Sequence, residues 1–490
     1  MVEWTTEQRY RRLSDASEDE IKELKKQVDQ SQWRQHFHIQ PETGLLNDPN
    51  GFSYFNGEYH LFYQWFPLGP VHGMKHWYHV KSTDLVHWEQ VGLAIEPEMY
   101  FESHGAFSGS GLEVGDALYL FYTGNTRDEE WVRKPYQCMA VMNKNGHITK
   151  FNEAVIDGSP SGYSEHFRDP KLWKDGEDFF AVIGAQRTNE TGTVLLYRSK
   201  NLTDWNLVGE IKTDLSSFGY MWECPDYLEI ADKGIFIFSP QGIEAQGDLY
   251  QNIYQSGYLL GEKLDNKTGE FIHGPFVELD RGFDFYAPQT MLDPDGRRVL
   301  VGWMGLPEVE DPSAQDGWSH CLTLPRELTL KGNKMIQRPV KELEKLRRNK
   351  CELTDRLAGE TKKYDHFTGE TYEMIVEFDH LDASQFGLEL RTNGEQKTVI
   401  AYDSVEKKVI VDRTAAGTPV GEEYGTVRKA SLDANKVKFH AFVDVSSIEV
   451  FVNDGEEVFT LRIYPQTDSK GIHFFAKGGE VAFQAVKWDY

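Results

Sequence analysis

Short strands rich in aromatic and branched residues recur about every sixty residues between residues 33 and 337 of the 490-residue chain. Each strand follows a small polar motif, and the five motifs contain Asp48, Ser108, Asp169, Glu223 and Tyr286. The steps between these residues are 60, 61, 54 and 63 positions. Repetition of a unit long enough for four strands predicts radial blades, so we expect a five-bladed β-propeller. The alternative, a large irregular β-sandwich, leaves the regular spacing unexplained.

The propeller geometry is expected to bring the five polar motifs together. If the same position of each innermost strand lies near the axis, residues that are far apart in sequence become neighbours in one central funnel. Three of the motifs carry a carboxylate, namely Asp48, Asp169 and Glu223. Each motif alone is more often structural, for example an Asx turn at Asp48. Three carboxylates in one funnel, however, indicate acid, base or nucleophilic chemistry.

The neighbours of two carboxylates suggest how each is tuned. Arg168 precedes Asp169, and a buried arginine there would keep the aspartate ionised. Phe218 and Trp222 precede Glu223, and a dry aromatic setting would raise the pKa of that side chain, as a general acid requires. We therefore expect a charged Asp169 and a Glu223 with a raised pKa.

The segments outside the repeats have different patterns. Ser17 and Glu20 form a capping box ahead of a short apolar stripe, which predicts a helical N-terminal extension. Pro339 near the start of a charged segment predicts a short linker helix, and the alternating strands beyond it predict a β-sandwich. The predicted domains are the extension, the propeller, the linker helix and the sandwich, at residues 1–32, 33–337, 338–352 and 353–490.

Charge and composition argue against several other classes of protein. The formal charge of −26 disfavours binding to nucleic acid or to an anionic membrane surface. No apolar run is long enough to span a bilayer, and the first residues do not form a secretory leader. The four cysteines have no CxxC or zinc spacing. Free thiols in a chain without a leader favour a cytoplasmic location.

Cofactor and metal signatures are also missing from the sequence. It has no phosphate-cradling Walker loop and no dinucleotide fingerprint. His36 and His38 alternate along one segment but have no third ligand nearby, so core or surface histidines are favoured over a metal site. We expect no cofactor and no metal.

Three blocks around the carboxylates are similar to the signature blocks of a known enzyme family. They are Leu46-Asn47-Asp48-Pro49-Asn50-Gly51, Phe167-Arg168-Asp169-Pro170 and Trp222-Glu223-Cys224-Pro225-Asp226. All three resemble glycoside hydrolase family 32, which holds invertases, sucrose-6-phosphate hydrolases, inulinases and levanases. Residues 443–451 resemble the C-terminal sandwich of that family, so the resemblance covers nearly the whole chain after residue 33.

The resemblance implies a retaining β-fructofuranosidase with a propeller followed by a sandwich. Asp48 would be the nucleophile at the anomeric carbon of the fructosyl unit, and Glu223 would protonate the leaving oxygen and then activate water. Asp169 would bind two fructose hydroxyls and stabilise the transition state. At the positions of the other family pocket residues this chain has Asn47, Gln64, Trp77, Phe107, Ser108, Arg168, Tyr286 and Trp303.

One position departs from the family pattern. Members often have Trp-Gly-His where this chain has Trp77-Tyr78-His79. A tyrosine in place of the glycine would narrow or reshape the rim, which makes the role of Trp77 less secure than that of Asp48.

Within the family, residues 219–226, 238–242 and 282–289 resemble the bacterial sucrose-6-phosphate hydrolases. This implies cleavage of the fructosyl bond of sucrose 6-phosphate and of sucrose. A phosphate would need basic groups on the glucosyl side. Lys75 and His76, beside His72, form one candidate cluster, and Arg281 is another. Ordinary solvated loop charge explains each of them equally well.

Other activities remain open at this point. An intracellular exo-fructanase would act on short fructo-oligosaccharides, and a fructosyltransferase would pass the same intermediate to a sugar in place of water. A non-catalytic sugar-binding protein is a further alternative, although the presence of all three carboxylates argues against it. The expected partner is a small sugar, and the sequence does not fix the oligomeric state.

Overall fold

The strands of the computed structural model form seven sheets within the residues that it describes, 3–379 and 382–490. Five sheets are built one after another from residues 44 to 339, and two six-stranded sheets follow. The prediction of an all-β fold with a five-bladed propeller and a C-terminal sandwich is confirmed. The domain limits given above stay a prediction.

Each of the five blades has four main antiparallel strands. In the first two blades they are Gly44–Phe55, Glu58–Phe66, His76–Ser82 and Trp88–Ile95, then Ala106–Val114, Ala117–Arg127, Arg133–Asn143 and Ile148–Lys150. In the third and fourth they are Tyr163–Asp175, Asp178–Arg187, Gly192–Ser199 and Trp205–Glu210, then Met221–Ile230, Lys233–Gln241, Gly257–Gly261 and Val277–Glu278. In the fifth they are Tyr286–Leu292, Arg298–Met304, Arg326–Lys331 and Lys334–Pro339.

Short extra strands complete the ring of blades. Ile156–Asp157 adds to the second blade and Cys321–Leu322 to the fifth. Trp318–Ser319 pairs in parallel with the start of Gly44–Phe55, so chain that follows the second strand of the fifth blade joins the edge of the first blade. The first strand of each blade contacts the first strands of both neighbouring blades, which places these five strands around the central axis.

Every one of these inner strands is bulged at its polar motif. The register shifts fall between Leu46 and Pro49, Ala106 and Gly109, Arg168 and Lys171, Glu223 and Asp226, and Tyr286 and Gln289. Four of the five bulges contain a proline, which cannot donate to the ladder. A bulge re-aims the side chains at the point where pairing is interrupted. The bulges therefore turn the predicted site residues toward the axis.

The sandwich packs two six-stranded antiparallel sheets against each other. The first contains Arg348–Ala358, Glu480–Asp489, Tyr372–Asp379, Val437–Asp444, Ser447–Val452 and Glu457–Arg462. The second contains Thr361–Thr368, Gly471–Lys477, Gln385–Thr392, Lys397–Asp403, Lys408–Ala415 and Val427–Ser431. Alternate residues of these strands are buried in one apolar core, as expected for sheets with one face toward solvent.

The helices are short. The α-helices are Thr6–Arg9 and Glu18–Asp29, and Ser17 caps the second by accepting a hydrogen bond from the backbone N–H of Glu20. The 3₁₀ helices are Leu13–Asp15, Tyr100–Glu102, Pro312–Asp316, Lys341–Leu346 and Glu422–Tyr424. No helix of the described residues is long and apolar enough to cross a membrane.

The predicted linker helix over 338–352 is wrong in extent and type. Only Lys341–Leu346 is helical, and it is a 3₁₀ helix. Pro339 ends the last propeller strand instead of starting a helix, where its missing N–H costs no ladder bond. The first sandwich strand already begins at Arg348.

Buried ion pairs lie where the propeller meets the sandwich. We call them the interface cluster; it comprises His38, Asp280, Asp284, Asp311, Arg326, Arg413, Asp444, Glu449 and Arg462. Arg326 at its centre lies 3.0 Å from Asp280 and 2.6 Å from Glu449, and all three side chains are inaccessible to solvent. The cluster fixes the two parts of the chain against each other through groups far apart in sequence.

Candidate active site

Asp48 lies in a ring of hydrogen bonds made by side chains of the first two blades. Asn47 Nδ2 donates to Asp48 Oδ1 at 3.1 Å and to Gln64 Oε1 at 2.6 Å. Gln64 Nε2 donates to Ser108 Oγ at 2.6 Å, and Ser108 Oγ in turn donates to Asp48 Oδ2. Both oxygens of Asp48 are therefore held by neutral donors.

Lys75 fixes the direction in which the hydrogen bonds of this ring are donated. Its Nζ donates to Asn47 Oδ1 at 2.7 Å, and the side chain is almost fully buried. A lysine has only donors, so the oxygen of Asn47 must face Lys75 and its amino group must face Asp48. Burial lowers the pKa of Lys75 to about 7, while the charge of Asp48 raises it. Lys75 was expected at a phosphate; the structure places it behind the nucleophile candidate.

The environment of Asp48 is electrostatically unfavourable to its charge. Burial raises the pKa of Asp48, the hydrogen bond from Ser108 lowers it, and the nearby charge of Glu223 raises it again. No described residue makes an ion pair with Asp48. Hydrogen bonds, not a salt bridge, therefore stabilise this carboxylate.

Glu223 is held from the opposite side by four donated hydrogen bonds. Arg168 donates to Oε1 from Nε at 2.9 Å and from Nη2 at 2.7 Å. Gln241 Nε2 and the hydroxyl of Tyr286 each donate to Oε2 at 2.7 Å. The carboxylate is thus fixed in place but remains partly exposed to the funnel.

Asp169 shares a cysteine with Asp48. The backbone N–H of Cys224 donates to Asp169 Oδ2 at 3.1 Å, and its Sγ lies 3.6 Å from both Asp169 Oδ2 and Asp48 Oδ2. Asp169 and Cys224 both have positive φ values, 68° and 48°. Left-handed backbone of this kind in residues other than glycine is strained and concentrates at functional sites. Two carboxylates from different blades are thereby brought against one sulfur.

The expected pairing of Arg168 with Asp169 is not found, and the pKa of Asp169 is not held low. Arg168 makes its ion pair with Glu223, not with Asp169. Burial raises the pKa of Asp169 to about 7; the charge of Arg168 lowers it, but those of Glu223 and Asp48 raise it. Trp222 packs on Phe238 and donates to the carbonyl of Phe218, so it belongs to the blade core. Chain neighbours in a bulged strand point in different directions, which the sequence does not reveal.

The aromatic residues expected in the pocket lie at different depths. Trp303 packs against Tyr286, and its indole N–H has no partner among the described residues. Trp77 is fully buried and donates to the carbonyl of Phe107 at 2.9 Å, so it supports Phe107 from behind. Tyr78 stacks on Tyr63 on the other face of the strand, and the rim is not narrowed by it.

The other candidate phosphate groups are occupied elsewhere. His76 is buried, and its Nδ1 bonds to the carbonyl of Met74. Arg281 is ion-paired with Glu278 and Glu457, next to the sandwich. Neither makes a hydrogen bond to Glu223, and a phosphate role for them stays a prediction.

Two residues of the site were not expected from the sequence. Gln241 binds Glu223, and Cys224 links Asp48 to Asp169. A signal for Gln241 existed, because residues 233–241 follow the Glu223 strand after a tight turn and must pair with it as a hairpin. Among the described residues, no group of three histidine, cysteine or acidic side chains is arranged to hold a metal ion.

Comparisons with known proteins agree with this site. The model of the glycosyl hydrolases family 32 N-terminal domain matches residues 38–339, and that of the family 32 C-terminal domain matches residues 342–489. The chain is 45% identical to a sucrose-6-phosphate hydrolase of Staphylococcus xylosus, over 100% of this chain and 99% of that protein.

Solved structures give the same result. A sucrose-6-phosphate hydrolase from Lactobacillus gasseri superposes with a TM-score of 0.93 at 38% identity, covering 99% of both chains. A Bombyx mori GH32 β-fructofuranosidase in complex with sucrose has a TM-score of 0.83 at 35% identity, covering 96% of both chains.

A propeller with three carboxylates at its axis, followed by a sandwich, defines this protein as a glycoside hydrolase. The chain belongs to glycosyl hydrolases family 32, and the resemblance noted from its sequence blocks is confirmed.

Proposed function

We propose that the chain is a retaining β-fructofuranosidase that hydrolyses the fructosyl bond of sucrose 6-phosphate and of sucrose. The observation that carries the proposal is the placement of Asp48 and Glu223. Neutral donors hold one carboxylate, and four donors hold the other on a different blade. Two carboxylates on opposite sides of a glycosidic bond are what double displacement requires.

In the first step, a carboxylate oxygen of Asp48 attacks the anomeric carbon of the fructosyl unit. The bond from that carbon to the glucosyl oxygen breaks, and Glu223 gives its proton to the departing oxygen. In the second step Glu223 removes a proton from water, which attacks the same carbon and releases Asp48. Asp169 would accept hydrogen bonds from fructose hydroxyls, and the pocket residues named above would surround the ring.

The substrate assignment is supported by the relatives, which carry the name sucrose-6-phosphate hydrolase at 36–45% identity. A charged phosphate ester does not cross a bilayer unaided, so we also propose that the protein acts in the cytoplasm. Recovery of the protein in the soluble cytoplasmic fraction of its own cells would test this, and recovery in the medium would contradict it.

The substrate assignment can be tested with kcat/KM for sucrose 6-phosphate, sucrose and a fructosyl-sucrose trisaccharide, with Asp48→Ala as the blank. We expect the highest value for sucrose 6-phosphate and no turnover above background by Asp48→Ala. A preference for the trisaccharide would instead assign an exo-fructanase. Full activity of Asp48→Ala would remove Asp48 from the mechanism.

A further inference from the structure

Two arginines face each other across a hairpin of the second blade. The strands Ala117–Arg127 and Arg133–Asn143 are antiparallel, and their register pairs Arg127 directly with Arg133. Like charges directly opposite each other on neighbouring strands are destabilising. The fold therefore places two like charges together at the end of this hairpin. A bound anion would reduce the repulsion between them.

No carboxylate of the described residues neutralises this pair. Neither arginine makes an ion pair, and the Nε atoms of both are buried without a hydrogen-bond partner. Asp128 follows Arg127 in sequence, but its carboxylate accepts the backbone N–H groups of Glu130 and Val132 in the turn. These two arginines lie side by side without a counter-ion in a chain whose formal charge is −26.

A histidine extends the same basic surface. His166 Nδ1 accepts a hydrogen bond from Arg168 Nη1 at 2.9 Å, so in the neutral ring the proton lies on Nε2, which is a donor. Burial lowers the pKa of His166 to about 4, and the charges of Arg168 and Arg133 lower it as well. We call Arg127, Arg133 and His166 the basic cluster. Arg127 Nη1 donates to the carbonyl of Trp131 at 3.2 Å, but the Nε atoms of both arginines have no acceptor among the described residues.

The basic cluster lies on the leaving-group side of the site. Arg168, which contacts His166, also donates two hydrogen bonds to Oε1 of Glu223, the proposed acid. The guanidinium of Arg133 lies over the ring of Phe107, 5.6 Å from its centroid, at the wall of the fructose pocket. A group bound here is near Glu223 and therefore belongs to the part of the substrate that departs.

We propose that the basic cluster binds the phosphate of the glucosyl 6-phosphate leaving group. Arginine forks match phosphate oxygens in bidentate geometry, and a phosphate dianion would remove the repulsion between Arg127 and Arg133. Trp131 lies at the tip of the same hairpin, half-exposed, with the guanidinium of Arg127 5.7 Å from its ring centroid. An exposed indole there offers a face for the sugar that carries the phosphate. The inference rests on the proposed function, since it names the recognition of that substrate.

The first experiment measures a selectivity ratio, kcat/KM for sucrose 6-phosphate divided by kcat/KM for sucrose. Arg133→Gln and Arg127→Gln are each expected to lower this ratio by about 10- to 100-fold, because each removes charged hydrogen bonds to the phosphate. Lys134→Gln is the matched control. It removes a neighbouring positive charge that is ion-paired with Asp157 and largely exposed, and it should leave both values unchanged.

The ratio separates recognition from damage to the fold, since a misfolded variant loses activity on both substrates together. An unchanged ratio in the Arg127→Gln/Arg133→Gln double variant would overturn the proposal. So would an equal fall of the ratio in Lys134→Gln, because general surface charge would then explain it.

A second experiment separates failure of the site from failure of the proposed function. Glucose 6-phosphate and glucose are compared as inhibitors of sucrose hydrolysis, and as ligands that raise the melting temperature. We expect glucose 6-phosphate to bind more tightly than glucose in the wild type, with the difference lost in the double variant. If glucose 6-phosphate binds in this way while the wild type shows no preference for sucrose 6-phosphate, the phosphate site is supported and the substrate assignment is contradicted. If the wild type prefers sucrose 6-phosphate and the double variant keeps that preference, only the phosphate site is contradicted.

Discussion

Two regions of this molecule contain buried charge, and they are arranged in opposite ways. In the interface cluster every positive group lies within 3.0 Å of a carboxylate, as Arg326, Arg413 and Arg462 illustrate. In the funnel Arg168 pairs with Glu223, but Asp48 and Asp169 have no ion pair among the described residues, and Arg127 and Arg133 beside it have none either. Paired charge holds the propeller and the sandwich together, whereas the unpaired carboxylates of the funnel are the groups that the proposed function uses.

The contrast explains why the same residue types have different effects on stability. A buried pair with complete hydrogen bonding adds rigidity, and breaking it leaves an uncompensated charge. A buried carboxylate without a counter-ion costs stability and is retained where its reactivity is needed. Asp444, whose pKa is lowered, is an example of the paired carboxylate. Asp169, whose pKa is raised to about 7, is an example of the carboxylate without a counter-ion.

The largest effect is expected from removing the charge of Asp48, the proposed nucleophile, without changing the shape of its side chain. Asp48→Asn keeps the size and some hydrogen bonds of the side chain. It cannot form the covalent ester bond to the anomeric carbon of the fructosyl unit. We expect kcat/KM on sucrose to fall by about 10 000-fold or more. Steady-state kinetics checks this, with Asp178→Asn as a control at an exposed ion pair far from the axis. Residual activity within about tenfold of wild type would contradict the assignment.

The interface cluster should show the opposite response. Arg326→Met leaves Asp280 buried without its cation and Glu449 with His38 alone, and we expect a loss of about 3–5 kcal/mol in the free energy of unfolding. Urea denaturation checks this, and the kcat of the protein that remains folded should be unchanged. Lys331→Met is the control, because Lys331 is exposed and pairs with Glu456 at the surface. Similar losses in both variants would mean that the buried pairs of the interface cluster stabilise the fold no more than a surface ion pair does.

The interface cluster should also make stability depend on pH. Burial lowers the pKa of His38, but the hydrogen bonds and charges of Asp444 and Glu449 raise it to about 9. An unfolded histidine titrates near 6.5. The protonated pair therefore contributes fully below about pH 6.5, and that contribution is lost as the pH rises through 9, by about 3 kcal/mol in all.

Unfolding free energies of wild type and His38→Gln, measured between pH 6 and about 10, test this prediction. The variant should be less stable at pH 6, and the two curves should converge at alkaline pH. His87→Gln, at an exposed histidine beside Asp84, should follow the wild type. A constant difference between His38→Gln and wild type across the range would show that His38 acts through packing and not through its charge.

A smaller effect is expected from Lys75. Its positive charge lowers the pKa of Asp48, which burial raises. The proposed nucleophile must be ionised, so loss of the lysine in Lys75→Met should move the acidic limb of kcat/KM to higher pH. Lys81→Met, in the strand that begins just after Lys75 and paired with Glu58, is the control. If the acidic limb of kcat/KM does not move and activity falls equally at every pH, Lys75 acts only as a structural support for Asn47.

The sequence predicted the parts of the fold that repeat and the parts of the site that are contiguous. Asp48, Asp169 and Glu223 each lie in a local motif with a proline, and the bulges that aim them depend on those same few residues. The interface cluster could not be predicted, because His38, Arg326 and Asp444 are brought together only by domain packing. The pairing of Arg127 with Arg133 depends on hairpin register, which the sequence did not reveal.

The partner of Arg168 shows the same limit at a single residue. Its position next to Asp169 suggested that these two charges pair, but the bulge turns the guanidinium to Glu223 on the next blade. Adjacency in sequence gives the order of the residues along the strand. The direction of each side chain depends on the local backbone, which is irregular at every one of these motifs.

The most direct test of the contrast between the two regions is the free energy of unfolding of Asp48→Asn at neutral pH. If the charge of Asp48 is held for function at the expense of stability, the variant should be at least as stable as the wild type while its activity is lost. A loss of about 3 kcal/mol, as expected for Arg326→Met, would contradict this account. It would mean that Asp48, like the interface cluster, is part of what holds the fold together.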